Sequence, residues 1–96
     1  MSQAPQEPSQ GTTPAAGTVI PLKFPIQSGG TRIEKLTMRR GTRKDMKAAH
    51  KYSQDEADQE DFLFSRLCGV TLEDIDALDL ADSKALQDAF RAMVGE

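Results

Sequence analysis

The chain has one histidine, His50, and one cysteine, Cys68, among its 96 residues. A general base needs a nucleophile or an orienting acid beside it. The sequence neighbours of His50 are Ala48, Ala49, Lys51 and Tyr52, which supply neither. His50 therefore reads as a surface or C-cap residue near a helix end. Cys68 falls on an apolar helical stripe just before Gly69, the place of an inert core thiol. Reactive thiols sit at helix N-termini or beside cations, and neither is expected here. One cysteine excludes an intramolecular disulfide, and with one histidine it cannot build a zinc site.

The acids Asp74, Asp76, Asp79 and Asp82 invite comparison with a calcium loop. They lack its alternate spacing, its central glycine and its closing glutamate. Ile75, Leu78 and Leu80 intervene as helix-forming apolar residues, so helix capping explains these acids better. Paired-carboxylate chemistry needs a cleft, and a chain this short leaves little room for one. Gly29-Gly30 precedes a strand, not a helix, and so is no phosphate loop. The expectation is a non-enzymatic protein with no catalytic residue, no cofactor and no metal.

Charge is the more informative signal. The net charge of −3 conceals two opposed segments. Thr31 to Lys51 holds eight bases against Glu34 and Asp45, a local charge of +6. Tyr52 to Glu96 holds twelve acids against Arg66, Lys84 and Arg91, a local charge of −9. Such a chain either satisfies itself or presents a bipolar surface that steers a charged partner. Nucleic acid is the alternative partner, through the basic segment 32–51, although the acidic half would repel phosphates. Phe62 lies off the main apolar stripe of its helix, beside Asp58, Glu60 and Asp61. It is either a helix-packing residue or an anchor for a partner.

These residues must be positioned by few elements. Residues 1–17 hold little that can be buried and read as a disordered arm. Residues 18–96 are left to form a single small α+β domain, thinly cored for its size. Residues 18–26 alternate with period two, placing Ile20, Leu22, Phe24 and Ile26 on one face. Pro21 and Pro25 mark this as an edge strand. Gln27-Ser28-Gly29-Gly30 predicts a tight turn. The second strand, Thr31 to Arg39, aligns Leu36 and Met38 but leaves Ile33 out of phase, which predicts a bulge near Glu34-Lys35.

Capping boxes then predict the helices. Thr42 and Asp45 open one over Arg43 to Lys51, with Met46 and Ala49 inward. Ser53 and Glu56 open a longer one, about Gln54 to Cys68, with Ala57, Phe64, Leu67 and Cys68 inward and Leu63 at the flank. Gly69 ends it. Thr71 and Asp74 open a short turn carrying Leu72, Ile75 and Leu78. Asp79 or Asp82 caps the last helix, to about Val94, with Leu86, Ala89, Phe90 and Met93 inward. The fold expected is an N-terminal β-hairpin followed by three main helices and a short helical turn. No apolar run approaches the ~20 residues of a membrane span. No basic segment followed by an apolar stretch opens the chain, so a secretory signal is not expected and the cytoplasm is the default.

Three stretches carry a resemblance: Ile20-Pro-Leu-Lys-Phe-Pro-Ile26 with its glycine turn; Ile33-x-x-Leu36-Thr-Met38-Arg39-Arg40-Gly41-Thr42-x-x-Asp45; and Phe62-Leu-Phe-Ser-Arg-Leu67-Cys-Gly69-Val70, continued by Ile75-Asp-x-Leu78-Asp79-x-x-Asp82-x-x-x-Leu86. In order and spacing the chain resembles the small tail assembly chaperones of contractile-tailed phages, the Mu-like and P2-like group. The resemblance spans about residues 18–90. It departs at Gly41, where proline is more usual. It implies a protein that binds the tape measure protein in the host cytoplasm, keeps its apolar helices soluble during tail assembly, and is absent from the finished virion. A longer frameshifted form of the same chain would be a second partner, and self-association is left open. Arg39, Arg40 and Phe62 are the partner contacts expected.

Overall fold

The computed structural model describes residues 17–95. Two antiparallel strands, β1 (Gly17–Ser28) and β2 (Thr31–Arg39), form a hairpin. Four helices follow: α1 (Arg43–Tyr52), α2 (Glu56–Cys68), the short α3 (Leu72–Asp76) and α4 (Leu80–Gly95). The α+β order expected from the sequence is therefore the order observed. The arm expected over 1–17 lies outside the described residues except for Gly17, which opens β1.

The hairpin turns at Gly29 and Gly30, with φ of 56° and 84°. Two consecutive positive φ values between paired Ser28 and Thr31 make a type I′ turn, whose twist suits the flanking strands. Ile20 pairs with Leu36, and Ile26 with Ile33, on the face that the helices cover. Two strands alone are marginal in water. Here Ile20, Leu22, Ile26, Leu36 and Met38 share one core with Phe64, Leu67, Ile75, Leu86 and Met93.

The irregularity expected at Glu34-Lys35 lies opposite those residues, and the extra residues belong to β1. Between the pairs Pro21–Lys35 and Ile26–Ile33, the run Leu22 to Pro25 faces Glu34 alone. Pro21 and Pro25 have no N–H to give. Two of the three amides between them, those of Lys23 and Phe24, leave the ladder and donate to Asp82 Oδ1 and Oδ2 of α4, at 2.9 and 3.0 Å. This excursion turns Phe24 outward, 55% exposed, where strict alternation places it inside. Ile33 packs at the edge of the core, half-buried.

Local chemistry sets the helix ends. Thr71 Oγ1 accepts from the Asp74 N–H while Asp74 Oδ2 accepts from the Thr71 N–H, the reciprocal box expected. At α2 the expected box is replaced. Asp55 is the N-cap, its Oδ1 accepting from the Ala57 and Asp58 N–H groups, because Ser53 is already the C-cap of α1. The helix thus starts at Glu56, and Ala57 is exposed in its first turn, not in the core stripe. Asp79 caps α4 through the Ala81 N–H at 2.9 Å. Leu80, the next residue, stands 87% exposed.

Gly69 ends α2 in the left-handed region at φ 68°. A Cβ there would meet no atom within 4 Å, so substitution costs only the backbone strain. Gly69→Ala is expected to lower stability by about 1 kcal/mol. Urea unfolding with an unchanged m-value is the measurement, and an unaltered midpoint would contradict it.

Candidate partner-binding groove

Three buried aspartates hold the helices to the hairpin or to one another, and one of them shapes a groove. Asp45, in the first turn of α1, is 3% exposed. Its carboxylate accepts from Arg39 Nη1 and Nη2, each at 2.9 Å, and from Arg66 Nε at 2.7 Å. The Thr42 N–H donates to it at 2.8 Å, as the capping motif predicts. One side chain thus joins the end of β2, the start of α1 and the last turn of α2. The Arg39 guanidinium above all, then Arg66 and the Thr42 amide, holds this carboxyl far below the usual carboxylate range against the effect of burial. The same pairing raises the pKa of Arg39.

Asp74 repeats the device at α3. It accepts from Ser28 Oγ at 3.0 Å as well as from its own cap, so the hairpin turn is fastened to α3. The Thr71 backbone amide leads the lowering of its pKa, helped by the two hydroxyls. Asp82 completes the set at α4, through the two β1 amides already described.

Beside Asp45 opens an apolar groove of about 100 Å³. Gly41, Thr42 and Met46 form one wall, Leu63 and Leu67 the floor, and Phe90, Met93 and Val94 the other wall. Gly41 lines it closely: a Cβ there would sit in ordinary contact with Leu67, at 3.5 Å, and with Met93, at 3.8 Å. Met46 was expected inward; it is 40% exposed and stands on the rim, with Ala49 taking the inward position at 0%. Val94 is 66% exposed on the opposite rim.

Of the three expected partner contacts, Arg39 is tied to Asp45 and retains 46% of its side-chain exposure. Arg40 is exposed, and its carbonyl accepts from Arg39 Nη1 at 3.0 Å. Phe62 is half-buried and stacks on Tyr52, with ring centroids 4.8 Å apart. Tyr52 lies seven residues beyond Asp45, about 10 Å along α1. The structure therefore groups Arg39 and Arg40 at one end of α1 and sets Phe62 toward the other.

The groove residues escaped the sequence reading because they come from three elements, each showing only its own periodicity. One signal was present for Asp45: Arg66 is the lone cation between Lys51 and Lys84. Cys68 is half-buried, and burial pushes its thiol up to about 11. Among the described residues no group of three His, Cys, Asp or Glu side chains is placed to hold a metal. Nor is any described helix long and apolar enough to cross a membrane.

The described residues thus form a hairpin covered by helices, with an apolar groove of about 100 Å³ between α1, α2 and α4. The family model described as phage tail assembly chaperone proteins, E, or 41 or 14, matches residues 19–95, and the chain belongs to that family. Comparisons with curated proteins and with solved structures return no match.

Proposed function

We propose that this protein binds the tape measure protein during tail assembly, without catalysis, in the host cytoplasm, and leaves before the virion is complete. The observation that carries the reading is the groove between α1, α2 and α4. Its rims expose Met46 and Val94, apolar side chains that the core does not need. A module of this kind can cover one stripe of a long amphipathic helix and release it. A frameshifted longer form of the chain would present the same groove.

Arg40, Arg39 and Phe62 remain proposed contacts, with different value as tests. Reversing Arg39 would cut the bond to Asp45 and disturb the fold. Arg40 immediately precedes the groove-lining Gly41; it too makes a contact within the fold, so its reversal is read beside a thermal-unfolding check. Co-expression with the phage's own tape measure protein is expected to move that protein into the soluble fraction and to co-purify the two. Arg40→Glu is expected to reduce recovery several-fold, because rim charges act mainly on association. A tape measure protein equally insoluble with and without this chain would overturn the reading.

A further inference from the structure

We infer that the groove takes the apolar face of an acidic amphipathic helix. The inference rests on the binding role just proposed, and it names the chemistry of the segment that binds. The shape argues first. About 100 Å³ holds one aliphatic anchor, whereas small-molecule pockets run to ~300–1,000 Å³. Shoulders at Met46 and Val94 extend the apolar surface to either side of that anchor. A channel walled by α1 and α4 over α2 suits a further helix presenting anchors one turn apart.

Charge selects which helix. Arg43, Lys44, Lys47 and Lys51 are exposed on α1, and among the described residues none of the four makes an ion pair. Residues three and four apart are neighbours on a helix surface. Met46 therefore has Arg43 and His50 beside it on the rim, with Lys47 next in sequence. On the far rim Arg91 lies one turn before Val94 and is held only loosely by Asp88, at 3.6 Å. Among the described residues the one acid lining the groove, Asp45, is matched by Arg39 and Arg66. An apolar floor with a positive rim along α1, facing an Arg91 already shared with Asp88, attracts an acidic helix over a basic one.

Two synthetic helical peptides of about 15 residues test this, with leucines at helical i, i+3, i+4 and i+7 positions. One carries glutamate elsewhere and the other lysine. Fluorescence anisotropy is expected to show the acidic peptide binding at least about tenfold more tightly, with the difference shrinking as salt rises. Val94→Asp, at an exposed position, is expected to weaken it about tenfold, and Arg43→Glu with Lys47→Glu to do the same, while thermal unfolding stays put. Equal binding of the two peptides, or full binding by folded Val94→Asp, would overturn the inference. A groove closed by a second copy would show as a concentration-dependent dimer split by Val94→Asp, and would overturn it too. Tape measure protein that co-purifies equally with Val94→Asp would remove the groove and leave the binding role standing. Acidic peptide bound at the groove without any capture of tape measure protein would remove the role and leave the groove.

Discussion

Asp45→Ala is expected to lose about 2–3 kcal/mol, a large part of the stability of a domain this size. The variant deletes the acceptor for two guanidinium groups and one helix amide at once. Breaking a fully buried ion pair costs ~3–5 kcal/mol, mostly from the charge left behind. Here the charges left behind are arginines 46% and 38% exposed, which water can reach, so the loss falls below that range. In thermal unfolding followed by circular dichroism the midpoint should drop by roughly 10–20 °C. A drop of only a few degrees would mean that the node is ornamental.

The pH dependence of the same variant provides an internal check. Asp45 has a folded-state pKa far below its unfolded value of about 3.9. A depressed carboxyl contributes stability that is complete above the unfolded pKa and drains away as pH falls below it. The wild-type protein should therefore weaken steeply with acid below about pH 4, and Asp45→Ala should weaken less steeply. Asp74 is shifted in the same direction, so some acid sensitivity remains. Asp61 runs the other way. Burial first, then the charges of Asp76, Glu60 and Asp58, raises its pKa, so its contribution is lost as pH rises. Parallel acid limbs for the two proteins would count against the node.

The second large effect belongs to Asp82. Asp82→Ala leaves the Lys23 and Phe24 amides without an acceptor, in the stretch where two prolines already deny β1 its ladder bonds. An unsatisfied buried donor costs ~1–3 kcal/mol. These two amides lie near the surface, so about 2 kcal/mol for the pair is expected. Asp82→Asn keeps one acceptor oxygen and should lose about half as much. Hydrogen exchange gives the specific readout: the amides of Lys23 and Phe24 should exchange faster in Asp82→Ala while the β2 amides hold. Unchanged exchange at both positions would refute the assignment.

Much of this fold was written in local signals. Period-two alternation and Gly29-Gly30 announced the hairpin, the Thr71–Asp74 box announced α3, and Gly69 announced the end of α2. What stayed hidden is instructive. Asp45 and Asp82 both occupy the third helical position, where an aspartate ordinarily serves its own helix. Asp45 does so and also takes two arginines from elsewhere; Asp82 serves a strand. A capping residue and a tertiary tie share one residue type at one position, and only the fold distinguishes them. Phe24 was misplaced for a related reason. Alternation assumes that every strand amide bonds to a neighbouring strand, and the prolines broke that assumption by freeing two amides for a helix. The groove was hidden because proximity between Met46 and Val94 is a property of three packed helices. The segregation of charge was visible at once, and its role at the groove rim became clear only when α1 was placed beside that opening.

The bond from β1 to α4 also orders events in time. Asp82 lies 59 residues from Lys23 and 58 from Phe24, so the contact that completes the first strand is the most distant in sequence among the side-chain ties described. Closing so large a loop carries an entropic charge that only a nearly assembled core can offset. During synthesis the first element made must wait for the last helix before its backbone is fully satisfied. Among the described elements the hairpin is thus made before the helices and finished only with α4, so residues 17–95 mature as a unit.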